Sequence, residues 1–158
     1  MSKEVLSFAA AGRMLDSGRS DPFLRELREA EENQLHITIC GAVTAPEAAH
    51  PTGNDAVDAV LAYCTPLLPD TAETMEIVFE DYILYQVRNE SFCSYDPKEI
   101  GMGEYLAVFE KSKLLDYLTV TMDEGLLSLC DAPWKHYRIS TQNQIIDVIA
   151  QTEPKVYR

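Results

Sequence analysis

The chain has 158 residues, of which 46% are hydrophobic, so it is long enough to bury a core and too apolar to be disordered. It carries 26 acidic residues against 13 basic ones, a formal net charge of −13. A field of this sign repels nucleic acid and anionic membranes, so we expect neither as a partner. It favours basic protein surfaces, cations or simple solubility.

The cysteines and histidines form no recognisable metal motif. The four cysteines are widely spaced, no Cys-x-x-Cys pair occurs, and the three histidines are scattered, so we expect no metal and no cofactor. The apolar run at residues 5–11 is short for a secretory signal, and no run approaches the roughly 20 apolar residues of a transmembrane helix. We therefore expect a protein of the reducing cytoplasm.

The first third of the chain is predicted to be helical. A short helix is expected over residues 3–15. Asp21 and Pro22 are typical of the first positions of a helix, and the apolar residues that follow recur at helical spacing, which predicts a helix over 22–33. Residues 1–34 are accordingly interpreted as a helical appendage to the rest of the chain.

The α+β core is expected over residues 35–150, inside a single domain that spans 1–158. Residues 35–43 alternate cleanly between apolar and polar, which predicts a strand. A loop over 44–54 leads to a helix over 55–65 with an apolar stripe.

Residues 75–88 show the strongest period-two alternation in the chain, with the odd positions apolar. A strand of this length spans roughly 46 Å, longer than a domain of this size is wide, so it must bend. Asp81 falls on the apolar face, where an unpaired carboxylate is costly. We therefore expect the bend at Glu80 and Asp81, without a change of register.

The remaining pattern predicts a loop and four further elements, in chain order: a loop over 93–103, a strand over 104–110, a helix over 113–122 begun by Ser112, and strands over 134–140 and 145–150. The strand over 104–110 is expected to pair antiparallel with the end of the preceding one. Together these elements predict an α+β fold with a mostly antiparallel sheet of about five strands and helices on one face. The alternative is a small, partly open β-barrel with helical insertions.

Three segments together resemble a group of uncharacterised bacterial single-domain proteins. These segments are FEDY followed by YQVRNES at 79–91, SKLLDY at 112–117, and HYRI followed by IDVI at 136–149. The resemblance covers residues 75–150 and implies a bacterial cytoplasmic origin. It implies no activity and no functional residue.

The first candidate site is the polar end of the long strand. Arg88 and Glu90 lie on one side of it, two residues apart, and Tyr82 lies farther along the same face. An arginine, a carboxylate and an aromatic ring can form a binding edge for a polar ligand or a partner. The alternative is an exposed ion pair that contributes at most about 1 kcal/mol.

The second candidate is His136, because histidine titrates near neutral pH. It shares a strand face with Arg138, and Asp147 could approach it across a hairpin, with Ser140 or Cys130 nearby. A general base needs an orienting carboxylate and a nucleophile, but no motif with that spacing is present. A buried structural histidine is the alternative.

Two functions remain open from the sequence. The first is a non-catalytic protein-interaction module that binds a basic partner, suggested by strong acidity, small size and the lack of a catalytic motif. The second is a small enzyme or small-molecule-binding protein with a pocket around His136, Arg88 and Glu90. Self-association is compatible with both.

Overall fold

The structure, a computed structural model, describes residues 3–18, 21–45, 51–129 and 132–158. Ten strands form two antiparallel five-stranded sheets. The first sheet has the spatial order β1 (Val5–Leu6), β10 (Lys155–Tyr157), β4 (Leu67–Phe79), β3 (Gln34–Thr44) and β2 (Phe23–Glu31). The second sheet has the order β5 (Leu84–Asn89), β9 (Gln144–Ala150), β8 (Lys135–Ser140), β7 (Leu106–Lys111) and β6 (Ile100–Met102).

Four α-helices and one 3-10 turn complete the described chain: α1 (Phe8–Ser17), α2 (Asp55–Leu61), α3 (Lys113–Thr121), α4 (Glu124–Ser128) and the 3-10 turn Glu90–Phe92. The Ser112 hydroxyl caps α3 by accepting from the amide of Leu115, as predicted. The helix predicted over 55–65 exists as α2, but its expected apolar stripe is not buried, since Val57 and Val60 are exposed. No helix of the described residues is long and apolar enough to cross a membrane.

The hydrophobic core takes side chains from both sheets and from α1, so the sheets pack with their inner faces toward each other. Strand β3 supplies Leu35, Ile37 and Ile39, which are buried as the alternation predicts. Strand β9 supplies Ile146 and Val148 from the opposite sheet. The intervening residues of each strand point to the two outer faces.

The helix predicted over 22–33 is wrong, because this segment forms strand β2. Its pairing with β3 has a register shift between Leu24 and Glu26, so Leu24 lies opposite Ile39 and Leu27 opposite Ile37. The bulge places two leucines three residues apart on one face, which imitates helical spacing. The turn at Asn33, with a φ of 60°, then reverses the chain into β3.

The long strand predicted over 75–88 is two strands that belong to different sheets. It breaks after Phe79, and residues 80–83 carry the chain from β4 to β5. The break falls at the predicted position, and Asp81 is exposed there, as expected. Tyr85 remains on the core side, so the expected register is kept.

The α+β class with mostly antiparallel sheet is confirmed, but the described residues form ten strands rather than about five. The barrel alternative is wrong, because the two sheets are not closed. The strand predicted over 104–110 exists as β7, but it pairs with β6 and β8 instead of β5. The loop predicted over 93–103 contains β6, and the polar tail contains β10. Part of the predicted loop, residues 46–50, lies outside the described residues.

Candidate functional site

The outer face of the second sheet carries a row of three polar residues. Gln86 on β5 and Arg138 on β8 lie directly opposite Asp147 on β9, one on each side. Opposed side chains of antiparallel strands have Cβ atoms about 4.5–5.5 Å apart, so their ends can meet. Since Ile146 and Val148 point into the core, the alternation of β9 turns Asp147 to this outer face.

Asp147 is fully buried and accepts five hydrogen bonds. Its Oδ1 accepts from Nε2 of His136 at 2.8 Å and from Nε of Arg138 at 2.7 Å. Its Oδ2 accepts from Nε2 of Gln86 at 3.0 Å and from Nε and Nη2 of Arg88 at 3.0 and 2.7 Å. A buried carboxylate is tolerated only with such partners, so the cluster is a fully satisfied charge network.

The partners of Asp147 keep its carboxyl ionised. Burial alone would raise the pKa of Asp147, but the hydrogen bonds from His136 and Arg138 outweigh burial and hold that pKa well below its usual range. Arg88 adds a second guanidinium to the same carboxylate. Two guanidinium groups therefore face the carboxylate of Asp147, and that of Arg138 also forms an ion pair with Glu99 at 3.7 Å.

His136 connects Asp147 to the start of α3. Its Nδ1 lies 2.9 Å from Oγ of Ser112, which also accepts from the amide of Leu115. The neutral tautomer with the proton on Nε2 satisfies every contact, since Nε2 donates to Asp147 and Nδ1 accepts the Ser112 hydroxyl proton. The Phe109 ring stacks on the imidazole with ring centres 4.8 Å apart.

The order of Ser112, His136 and Asp147 resembles a hydrolase triad, but its geometry does not serve a nucleophile. In such triads Nε2 faces the serine and Nδ1 the carboxylate, which is the reverse of the order here. All three side chains are buried, and the Ser112 hydroxyl already caps a helix. The series therefore fixes the position of α3 on the sheet.

A cleft of about 290 Å³ opens on the outer face above this network. We call it the arginine cleft, and ten residues line it: Gln86, Arg88, Ser94, Asp96, Glu99, Lys113, Leu114, Tyr117, Arg138 and Asp147. They come from β5, β8, β9, α3 and the segment between β5 and β6. The side chains of Arg88 and Arg138 are 37% and 21% exposed, so both reach solvent through the cleft.

Both arginines are held in place with donors to spare. Arg88 uses two of its five N–H groups on Asp147. Arg138 uses its Nε on Asp147, lies 4.6 Å above the centre of the Phe109 ring, and has its Nη1 3.7 Å from Glu99. That last distance is too long for a hydrogen bond. The unused guanidinium donors are therefore available to a ligand in the cleft.

The other charges of the cleft, those of Lys113, Asp96 and Glu99, also have partners. Lys113 contacts Asp96 at 2.6 Å, and this pair lowers the pKa of Asp96 and raises that of Lys113. Glu99 accepts the amide of Lys113 at 3.1 Å. The three basic and three acidic side chains of the lining therefore balance in formal charge, and the unused N–H donors of the cleft belong to Arg88 and Arg138.

The structure brings together three of the five predicted site residues. Arg88, His136 and Arg138 all donate to Asp147, the residue expected to approach His136 across a hairpin. His136 has no exposed surface, and it contacts the cleft only through its hydrogen bond to Asp147. Arg88 and Arg138 line the cleft itself.

The other two predicted residues lie elsewhere. Glu90 is exposed in the 3-10 turn after β5, and Arg88 pairs with Asp147 in its place. The Tyr82 hydroxyl donates to Glu29 at 2.7 Å, and this hydrogen bond raises the pKa of Tyr82 to about 12. Neither residue lines the arginine cleft, and the binding edge predicted from the strand end stays a prediction.

Sequence reasoning missed Gln86, Tyr117 and the role of Asp147 as the centre of the network. One signal was visible, because Asp147 interrupts the apolar run of β9 and a buried acid requires donors. The pairing of β5 with β9, which brings in Gln86 and Arg88, joins segments about sixty residues apart and leaves no local pattern.

Cys130, expected near His136, lies outside the described residues. Within the described ranges, no three side chains of His, Cys, Asp or Glu are grouped so as to hold a metal ion. Comparisons of the chain with known protein families, with curated proteins and with solved structures found no match.

Proposed function

We propose that this protein is a non-catalytic binding module that holds an anionic group of its ligand in the arginine cleft. One observation carries the proposal: Arg88 and Arg138 are fixed on the buried Asp147 and still have unused donors that face a cleft. A guanidinium binds a carboxylate or phosphate through two parallel hydrogen bonds, and a fixed one loses little conformational entropy on binding.

Two further features support binding rather than catalysis. The hydroxyl of Ser112 is buried and already bonded on both sides, so it is not available to attack a ligand. His136 is also buried behind Asp147, without access to the cleft. The accessible polar groups of the cleft are hydrogen-bond donors and paired carboxylates, which suit recognition.

Titration of the ¹⁵N-labelled protein with acetate and with inorganic phosphate, at constant ionic strength, tests the proposal. We expect saturable chemical-shift changes at amides of β5, β8 and the start of α3. Arg138→Gln should abolish them, because it removes a cleft guanidinium. Arg25→Gln is the matched control, since Arg25 is an exposed arginine on β2, outside the cleft. Absence of saturable shifts with both anions contradicts the proposal.

A basic protein partner is a second candidate, supported by the net charge of −13. Exposed acids concentrate on the β2–β3 hairpin, where Glu29, Glu31 and Glu32 follow one another closely. Binding of an oligolysine probe should weaken steeply with added salt and should weaken further in a Glu31→Gln/Glu32→Gln variant. Binding that is insensitive to salt would remove this candidate.

The setting proposed for this module is the bacterial cytoplasm, without a nucleic acid partner. The described cysteines Cys40, Cys64 and Cys93 are free thiols, which suits a reducing compartment. The acidic charge disfavours nucleic acid. The resemblance of residues 75–150 to bacterial single-domain proteins stays a prediction, as does self-association.

A further inference from the structure

We infer that residues 41–45 and 51–70, which we call the acidic arm, form a docking surface for a segment of a partner protein that carries Lys or Arg beside apolar residues. This inference rests on the second candidate function, a basic protein partner, and is independent of the arginine cleft. It combines three observations: the lack of burial in the arm, the apolar side chains that the arm exposes, and the place of the net charge along the chain.

The arm extends the β3–β4 hairpin beyond the part that contributes to the core. The pairing of β3 with β4 shifts register between Cys40 and Gly41, where residues 71–73 are the extra residues of β4. Beyond this bulge the hairpin continues to Ala45, whose amide donates to the carbonyl of Pro66. Helix α2 lies on the connection between the two strands. The bulge therefore separates the arm from the core-forming part of both strands.

No residue of the arm is buried. The core takes Leu35, Ile37 and Ile39 from β3 and Ile77 and Phe79 from β4, all of them on the other side of the bulge. A two-stranded hairpin and a helix of seven residues are marginal in water when no packed apolar face supports them. A partner that covers the arm would supply such a face.

The arm exposes six large apolar side chains, those of Val43, Val57, Val60, Tyr63, Leu67 and Leu68. Val43 lies directly opposite Leu68, so these two side chains share one face of the hairpin. Val57 and Val60 are three residues apart on α2 and share one face of that helix. Single exposed apolar residues need no explanation, but pairs of neighbours on a segment without buried residues indicate a contact surface.

The net charge of the protein lies almost entirely in the stretch that contains the arm. Residues 29–87 carry eleven acidic residues and no Lys or Arg, whereas the other 99 residues carry 15 acidic and 13 basic ones. The charged residues of the arm are Asp55, Asp58 and Asp70, and none of the three forms an ion pair within the described part of the chain. The arm therefore attracts a basic segment.

Charge selects between the occupants that could cover the arm. A second copy of this chain would bring its own three carboxylates against those of the arm, and the two would repel each other. A polycation without apolar residues would leave Val57 and Val60 in water. A segment that combines Lys or Arg with apolar residues satisfies both the charge and the exposed side chains.

Titration of the ¹⁵N-labelled protein with three synthetic peptides of equal length tests this inference. They are a Leu/Lys peptide with leucines at helical spacing, the corresponding Leu/Glu peptide, and oligolysine. We expect the Leu/Lys peptide to cause saturable chemical-shift changes at amides of residues 41–44 and 55–61. It should bind at least about ten-fold more tightly than either of the other two, and added salt should weaken its binding.

A double variant, Val57→Ser/Val60→Ser, should weaken binding of the Leu/Lys peptide about ten-fold or more and leave binding of oligolysine unchanged. Leu68→Ser, on the hairpin instead of α2, should act in the same direction, which separates a lost contact from a local loss of α2. Val120→Ser is the matched control, since Val120 is an exposed valine of helix α3, outside the arm, and this variant should bind as the unaltered protein does. All three variants change exposed side chains and should fold normally, which circular dichroism verifies.

Four outcomes would overturn the inference. The Leu/Lys peptide could bind no more tightly than one of the other two peptides, or could shift only amides outside the arm. The arm variants could weaken binding no more than Val120→Ser does. Arm amides could shift with protein concentration in the absence of peptide, which would identify a second copy as the occupant.

The second candidate function can survive such a failure. If oligolysine still binds and Glu31→Gln/Glu32→Gln weakens that binding, a basic partner stands and only its place on the arm is wrong. If neither basic peptide binds, the inference and the second candidate function both fail.

Discussion

Two carboxylates, one on each sheet, have similar partners and different surroundings. Asp147 in the second sheet bonds a histidine and two arginines and has a side chain only 1% exposed. Glu76 in the first sheet contacts His36 at 2.8 Å, Lys3 at 3.0 Å and Arg28 at 3.5 Å, but its side chain is 21% exposed. The donor sets are alike, so burial is the main difference.

Burial changes what each carboxylate does for its neighbours. Water competes for Glu76, and its partner Lys3 has a side chain that is 63% exposed. Asp147 has no such competitor, so its partners are held in one arrangement. A buried carboxylate can therefore fix two arginines as a binding surface, whereas a partly exposed one forms an ordinary surface cluster.

Asp147→Asn is expected to cause the largest loss of unfolding free energy. The substitution keeps the shape of the side chain but removes the counter-charge of Arg88 and leaves Arg138 with only Glu99 at 3.7 Å, and breaking a buried charge network costs about 3–5 kcal/mol. Urea denaturation monitored by circular dichroism would measure the loss of unfolding free energy. A loss below about 1 kcal/mol would show that the network is worth no more than a surface pair.

The stabilisation by the ionised Asp147 carboxylate should also appear in the pH dependence of the unfolding free energy. The folded pKa of Asp147 lies below its unfolded value, which is near the ordinary 3.8, so the unfolded state binds more protons as the pH falls below that value. The contribution of Asp147 is therefore complete above about pH 4 and is lost as the pH falls through the folded pKa. The stability difference between the unaltered protein and Asp147→Asn should be constant from pH 5 to 7 and narrow below about pH 4.

Urea denaturation of both proteins at a series of pH values would check this dependence. A difference that stays constant down to pH 3 would contradict the assigned role of Asp147. Glu76 also has a lowered pKa, through hydrogen bonds from His36 and Lys3, so Glu76→Gln serves as the comparison. The stability difference between the unaltered protein and Glu76→Gln should narrow by less below about pH 4 than the difference for Asp147→Asn.

Ser112→Ala is expected to cause an intermediate loss of stability. The substitution removes the cap of α3 and the hydroxyl that satisfies Nδ1 of His136, a combined cost of about 2 kcal/mol. Anion binding in the cleft should persist, because Ser112 does not line it. Thermal denaturation and the acetate titration together check both parts, and loss of acetate binding in a folded variant would show that Ser112 does more than fix α3.

The sequence predicted most strands of the second sheet, either from alternation or from an apolar run. Strand β8 was located from its alternation and β9 from its apolar run, and the turn between them follows from the polar residues at 142–143. Strand β2 was mistaken for a helix because a bulge at Leu24–Glu26 gives its leucines helical spacing. Strand β10 has three residues, of which only Val156 is fully buried, so it carries too few positions to show a period.

The candidate site was predictable only in part, because some of its residues meet through pairing of strands that are distant in sequence. His136 and Arg138 share a face of one strand, which alternation reveals, and Asp147 follows across a short hairpin. Arg88 joins them only through the pairing of β5 with β9, which depends on how the two sheets divide the chain. Local patterns predict the bend at Glu80 and Asp81, but they do not show that the two halves join different sheets.

Glu76→Gln is expected to cause the smallest loss of stability. It tests most directly whether burial explains the difference between the Glu76 and Asp147 clusters. Glutamine keeps the length of the side chain and can still bond His36, while water solvates Lys3 once its partner is lost. We expect a loss of about 1 kcal/mol or less in urea denaturation, since pairs of this exposure contribute little. A loss as large as that of Asp147→Asn would mean that the donor set, rather than burial, determines the strength of both clusters. In that case the first sheet would deserve the same search for a bound anion as the arginine cleft.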